Sequence, residues 1–347
     1  MKKNLKIFCE QKGQVAVIVG LLLTSIIGML ALVVDVGSMY EVRRVAQTAA
    51  DAAALAGAQE LPDFPDDARS KAQEFAQNHG NITLPLEEPY IIISDSNSDG
   101  QSDTIEVHPY DDQTPLFFSG NPTRTTAAMA IAKIFSPESL KGLVPFVVLE
   151  EALEFGDPTI LKQNANSKKE SEKISGQFQA MDFMDDDDPW DDPNPPPGGG
   201  AGAYSYYIEN GYGGKIFLDE TEEVESGNMA GPTGAGIEAR IGDDTCTLED
   251  VAIMRENDEG ELELYVIDPG CPRIVLVPFT DEFPENPSDN LTITGFGVFF
   301  IMDVAVEEEK GQDSALVTGQ FIENLTIKSS GEIEEYTGGI KVIRMIE

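Results

Sequence analysis

The chain is 347 residues long, with 62 acidic against 23 basic side chains and a formal net charge of −39. Its hydrophobic fraction of 41% suffices for a buried core, and the length suits one large domain or two ordinary ones. So negative a surface repels nucleic acid and anionic lipid, which excludes both as ligands of the main body and leaves multivalent cations as the compatible charged partners.

The basic charge is concentrated at the start. Lys2, Lys3, Lys6 and Lys12 against Glu10 give the first 13 residues +3, leaving −42 for the remainder. This leader (1–14) runs into Val15–Val34, 20 residues without a charge. At about 1.5 Å per helical residue the run matches a hydrocarbon core of roughly 30 Å. The lysines before it outnumber Arg43 and Arg44 after it, so the positive-inside rule puts the N-terminus in the cytoplasm. A cleaved signal peptide would have a shorter apolar region closely followed by small residues. Here the nearest such pattern, Ala54, Ala56 and Ala58, lies some twenty residues further on, so an uncleaved anchor is expected. Ala16, Gly20, Thr24 and Gly28 recur every four residues on one face of the span. Either a helix-packing stripe or the general frequency of glycine in membrane helices accounts for this.

No proline interrupts the sequence from Asp35 to Leu61, and alanine, the best helix former, dominates it. Pro62 and Pro65 end the segment, so 35–62 reads as a helical extension of the span. GQVAVIVGLLL, followed by LALVVDVGSMYEVRRVAQTAADAAALAGAQEL, resembles the N-terminal segment of TadG-like proteins of the Tad (tight adherence, Flp) pilus system. An Asp-x-Gly turn at Asp35–Gly37, the arginine-containing link and AADAAALAGA carry the resemblance most specifically. GLVPF, SGQFQAMDF, ENGYGGKI and GNMAGPTGAGIEARI resemble the bodies of related surface proteins. The resemblance implies a component of pilus assembly or the cell surface in the cytoplasmic membrane, with envelope proteins as partners of its N-terminal helix. The sequence departs from that family twice. Ile18 stands where cleaved pilins carry glutamate five residues after a glycine, here Gly13, which argues against prepilin cleavage. Asp35-Val36-Gly37-Ser38-Met39 lacks both serines of a von Willebrand metal motif, so no such domain is expected.

Residues 63–347 read as an extracytoplasmic α+β body. Asp66–Asn78 suits a short helix with Ala68, Ala72, Phe75 and Ala76 on one face. Pro89–Ser94 and Thr104–His108 read as strands, whereas Thr126–Phe135 is ambiguous. The stretch 182–202 is acidic, then proline-rich, then glycine-rich, and reads as a disordered insertion into one domain. Strand signals resume at Lys215–Leu218, Glu261–Ile267, Arg273–Phe279, Leu291–Val306 and Ala315–Leu325, with only Gly231–Ile241 looking helical. Leu291–Val306 is apolar enough to be buried on both faces.

The sharpest local chemistry is DSNSDGQSDTIE, which fits the calcium-loop pattern D-x-[DN]-x-[DN]-G-x₅-E. Asp95, Asn97 and Asp99 would supply side-chain oxygens and Gln101 a carbonyl. Asp103 would act directly or through water, and Glu106 would close the shell. The alternative is an ordinary Asn/Asp/Gly turn between strands. Cys246 and Cys271 lie on the oxidising side, where a disulfide between them is expected; the alternatives are two buried thiols or a metal site. With no short-spaced cysteine pair and no histidine nearby, zinc is the weakest of the three. The chain has two histidines, His79 and His108, and no hydrolase or nucleotide-binding signature. Gly231–Gly236 lacks the lysine of a phosphate loop. A non-enzymatic role is expected.

Overall fold

The computed structural model describes residues 12–98, 100–118, 123–150, 158–163, 180–183, 192–196, 199–224, 229–256, 260, 262–283, 290–309, 312–322, 325–327, 333–335 and 340–346. The fold is α+β. Two compact units form, and their boundary falls inside a strand at Lys133/Ile134, not at the acidic stretch. Unit 1 is 1–96, 100–133 and 345–347; unit 2 is 97–99 and 134–344.

Unit 1 is built on one helix, α1 (Lys12–Ala58), 47 residues and about 70 Å long. The Asp-x-Gly turn expected at Asp35–Gly37 is not formed: these residues are helical, and the helix runs on unbroken. Their helical neighbours on both sides supply the hydrogen bonds that a turn would otherwise satisfy locally. From Val15 to Val34 the side chains are exposed, apart from a half-buried Ala31. After Val45 the character changes. Ala46, Ala49, Ala50, Ala53, Ala54 and Ala58 have no exposed area, and their spacing of three and four residues gathers them into a stripe. The helix stops at Ala58, three residues before the expected end, in a turn that precedes Pro62.

Alanine is small enough for close approach, and α2 (Pro65–Asn78) answers with buried Ala68, Ala72 and Ala76. Proline at its first position and Asp66 and Asp67 in the first turn fit a helix start. Phe75, expected on the same face, is only half-buried. Where the two helices meet, Gly57 is required by space: a Cβ there would sit 2.5 Å from Ile105 Cδ1 and 3.0 Å from the Ala68 carbonyl oxygen.

An antiparallel sheet of β1 (Ile91–Ser94), β2 (Thr104–Val107) and the first half of β5 completes the core of the unit. Between β2 and β5 lies a hairpin, β3 (Tyr110–Pro115) and β4 (Thr123–Ala127), bulged between Asp111 and Thr114. The ambiguous segment Thr126–Phe135 is thus the end of β4 and most of β5 (Ala130–Pro137). Pairing with β2, not alanine content, decides the outcome for β5.

Unit 2 has a central five-stranded sheet. After β6 (Ser139–Leu140), the strands β7 (Val148–Leu149) and β8 (Pro158–Gln163) form its two edges. Next come β9 (Met181–Asp182), α3 (Ala201–Asn210), β10 (Ile216–Phe217), β11 (Thr221–Val224), α4 (Ala230–Ile241) and the one-turn α5 (Leu248–Val251). A hairpin of β12 (Ala252–Glu256) and β13 (Leu262–Val266) precedes β14 (Ile274–Thr280). The chain closes with β15 (Leu291–Thr292), β16 (Gly295–Glu309), β17 (Gln312–Ile322), β18 (Leu325–Ile327), β19 (Ile333–Glu335) and β20 (Ile340–Ile346). The sheet order is β7-β14-β16-β17-β8, antiparallel except at β7–β14.

Strand β16 accounts for the long apolar run. Phe299 and Ile301 pack with Tyr204 and Ile208 of α3 and Ile237 of α4. Val298 and Phe300 point the other way, into a cluster with Leu264, Ile322 and Ile340. Because successive strand residues face opposite sides, a strand covered on both must be apolar throughout. The run is broken at Ile293–Thr294, which separates β15 from β16, and the double burial ends at Ile301, since Met302 and Asp303 are exposed.

Helix α3 was not expected. AGAYSYYIEN follows a glycine run, yet it buries Tyr204, Tyr207 and Ile208 on one side. Gly236 lets α4 approach it: a Cβ would lie 2.7 Å from the Ser205 carbonyl oxygen and 2.8 Å from Ile208 Cβ. Arg240, in the last turn of α4, then ties the pair together. It donates to the carbonyls of Ile208 (2.9 Å), Glu209 (3.3 Å), Pro272 (2.7 Å) and Ile274 (3.2 Å). Two of these carbonyls belong to the last turn of α3, where a cation meets the negative end of the helix. Burial lowers the guanidinium pKa from its ordinary value.

The stretch 182–202, expected to be disordered, is structured at its ends. Asp182 lies in β9, Phe183 is buried against Tyr207 and Tyr212, Pro196 is buried, and Ala201 begins α3. Residues 184–191 and 197–198, with the Asp185–Asp188 run, lie outside the described residues.

Candidate functional site

The Asp95–Glu106 loop joins β1 to β2. The register Ser94↔Thr104 brings its two ends together, so the loop is a hairpin connection between strands. Asp95 accepts the Gly100 backbone N–H at 2.8 Å, closing the turn that Gly100 (φ +99°) permits.

Asp103 does something the motif does not foresee. It is 2% exposed and faces inward, where Lys133 Nζ lies 3.1 Å from its Oδ2. Lys133 reaches it from β5, since the register pairs Thr104 with Lys133. The same carboxylate accepts the Ser96 N–H (3.0 Å), the Ser96 hydroxyl (2.6 Å) and the Thr104 hydroxyl (2.7 Å), and Lys133 also donates to Ser96 Oγ. Burial alone would raise the Asp103 pKa, but the bonds from Ser96, Thr104 and Lys133 outweigh it and hold the carboxyl below its ordinary value.

Glu106 sits on β2 and bonds His108 Nε2 at 2.7 Å. Asn97 is half-buried, Gln101 is exposed, and Asp99 lies outside the described residues. Lys133, absent from the motif reading, was visible as the one charge within AIAKIF, a segment whose residues on both sides are apolar. A charge in a doubly covered strand needs a partner of opposite sign.

In unit 2, Cys246 and Cys271 are joined by a disulfide, with Cα atoms 6.7 Å apart. Asp244 lies beside them, 2.9 Å from Cys246 Sγ. Among the described residues these three form the one group of His, Cys, Asp or Glu ligand atoms within 4.8 Å of each other. The sulfurs are bonded to one another, which removes the thiolates that a metal would require. The bridge is followed at once by a capping box at the start of α5, in which the Asp250 carboxylate accepts the Thr247 backbone N–H (2.8 Å) and hydroxyl (2.7 Å). Those bonds lower the Asp250 pKa.

A groove of about 640 Å³ lies between α4 and β16, with Glu238, Arg273 and Asp303 among its lining residues. Arg273 donates to the Ile301 carbonyl and stacks over Phe300, so it serves the sheet that forms the groove wall.

The N-terminal helix is where comparison with known families gives an answer. Residues 13–60 match the Tad family, Flp pilus-assembly TadE/G-like. The N-terminal segment is thus similar to a Tad segment. Its match spans α1 almost end to end, so the Tad segment here comprises both the exposed apolar span and the alanine stripe buried in unit 1. The span is the one helix, among the described residues, long and apolar enough to cross a membrane. Comparison with curated proteins and with solved structures returned no match.

Proposed function

We propose that this chain is a single-pass structural component of Tad/Flp-type pilus assembly or surface attachment, with its acidic body outside the cytoplasmic membrane. The observation that carries the reading is the double use of the Tad segment: its first half is an anchor and its second half is core. Because the anchor and the alanine stripe that α2 packs against belong to one unbroken helix, unit 1 is held at the membrane surface. That suits a fixed scaffold better than a diffusing enzyme. The partners are the lipid bilayer and envelope proteins that meet the span. The N-terminus is cytoplasmic, because the lysine-rich leader precedes the span.

Protease added to cells stripped of their outer layers should degrade the acidic body and leave a membrane-bound N-terminal stub. Complete protection of the body would reverse the proposed topology. Mild crosslinking before membrane extraction should capture pilus-assembly proteins; their absence favours the other class of role, an adhesin or envelope-matrix protein outside pilus assembly.

Calcium at the Asp95–Glu106 loop is a separate proposal, supported by the turn that Asp95 and Gly100 close. Lys133 competes with any cation for Asp103, so the site would be weak, with a dissociation constant on the order of 1 mM. Calcium should raise the melting temperature of the wild type, and Asp95→Ala with Asp99→Ala should remove that rise. An equal rise in both would assign calcium to the acidic surface at large.

A further inference from the structure

The β3–β4 hairpin lies along α1, pinned at both ends. Near its base, Gln47 Nε2 donates to the Met129 carbonyl at 2.9 Å. Near its tip, Ser38 Oγ donates to the Pro115 carbonyl at 3.0 Å, and the Asp35 carboxylate accepts the backbone N–H groups of Phe117 (2.7 Å) and Phe118 (3.2 Å). Twelve helical residues separate Gln47 from Asp35, about 18 Å of rise, and the six residues of β3 extend about 20 Å. The two lengths agree, so the hairpin runs down the helix towards the apolar span.

Asp35 is the first charge after Val15–Val34 and therefore marks the edge of the hydrocarbon. A bare carboxylate there is costly, and two backbone donors lower that cost. The same bonds fix Phe117 and Phe118 at the depth of Asp35. Both rings are exposed, at 66% and 60%, on a chain whose surface is otherwise heavily charged. One turn deeper, Ala31 is half-covered where the rest of the run is bare.

We propose that Phe117 and Phe118 are a second membrane contact, seated at the headgroup–acyl boundary of the leaflet in which the span ends. The occupant of this apolar tip is the bilayer, because the span carries the tip to that depth. Aromatic side chains on an otherwise polar element are what that boundary takes up. The contact rests on the reading of Val15–Val34 as a span. With it, unit 1 is held at two points, which restrains rotation about the axis of α1.

The test uses the full-length chain in phosphatidylcholine nanodiscs. The single native tryptophan is removed by Trp190→Phe, and Phe117→Trp or Val19→Trp supplies one reporter at a time. Emission from position 117 should shift to the blue and be quenched more by lipids brominated near the headgroup than near the chain end. Position 19, inside the span and about 6 Å from its start, should be quenched by both. Quenching at 19 with none at 117 overturns the second contact and leaves the anchor standing, even if the 117 emission is blue, since a protein surface then covers it. No quenching at either position overturns the anchor as well. Asp35→Ala should reduce quenching at 117 while sparing 19; unchanged quenching at 117 would overturn the tether.

Discussion

Replacing Asp103 with alanine should destabilise unit 1 by about 3–5 kcal/mol, because it strands the buried Lys133 ammonium without its carboxylate. The substitution also removes the acceptor for the Ser96 amide and for the Ser96 and Thr104 hydroxyls. Hydrogen exchange should locate the loss in β1, β2 and the alanine half of α1, with unit 2 unchanged. Asp103→Leu combined with Lys133→Met should recover most of the loss, since a buried pair replaced by apolar groups of similar volume costs little. A double variant as unstable as Asp103→Ala would mean that packing, not charge, governs the position. The pH dependence follows from the sign of the shift. Asp103 titrates below its unfolded value, so its stabilisation is complete above about pH 4 and is lost as pH falls through the lower folded value. Near neutral pH this group should contribute no pH dependence.

Reducing the Cys246–Cys271 bridge should cost unit 2 about 3.5 kcal/mol, the loop-closure entropy of a 25-residue separation. Peptide mapping without reduction should recover the two cysteines linked. The readout is the denaturant midpoint followed in the β14–β16 core, with and without reductant. Cys246→Ala with Cys271→Ala should match the reduced protein and be insensitive to reductant. A wild type indifferent to reductant, with both cysteines alkylated beforehand, would show that the thiols are free in the native protein.

The sequence carried the helix of the Tad segment, the α2 face and the β16 core well, because each depends on a local period. Apolar spacing of three to four residues marks Ala46–Ala58, and unbroken apolarity marks Phe296–Ile301 as buried on both sides. The loop chemistry was less legible. Asp103 fits a calcium motif by spacing, but its partner is chosen by the β2–β5 register, and register is a property of the sheet, not of twelve consecutive residues. Arg240 is similar: nothing near it in sequence announces that it will bond carbonyls at the end of another helix. Helix α3 was hidden by composition, since a glycine run precedes it and tyrosines supply its buried face. The two-unit division was illegible for a related reason. It falls within one continuous strand, where no change of composition signals it.

The unbroken helix from span to core makes unit 1 a pointer fixed to the bilayer. With no hinge at Asp35–Gly37, any tilt that the span adopts to match local membrane thickness is passed on undiminished. The 23 residues beyond Asp35 form a lever of about 35 Å, so a tilt of roughly 20° carries its far end sideways by about 12 Å. A thinner bilayer would therefore swing the alanine-packed end of α1, turning membrane thickness into lateral reach.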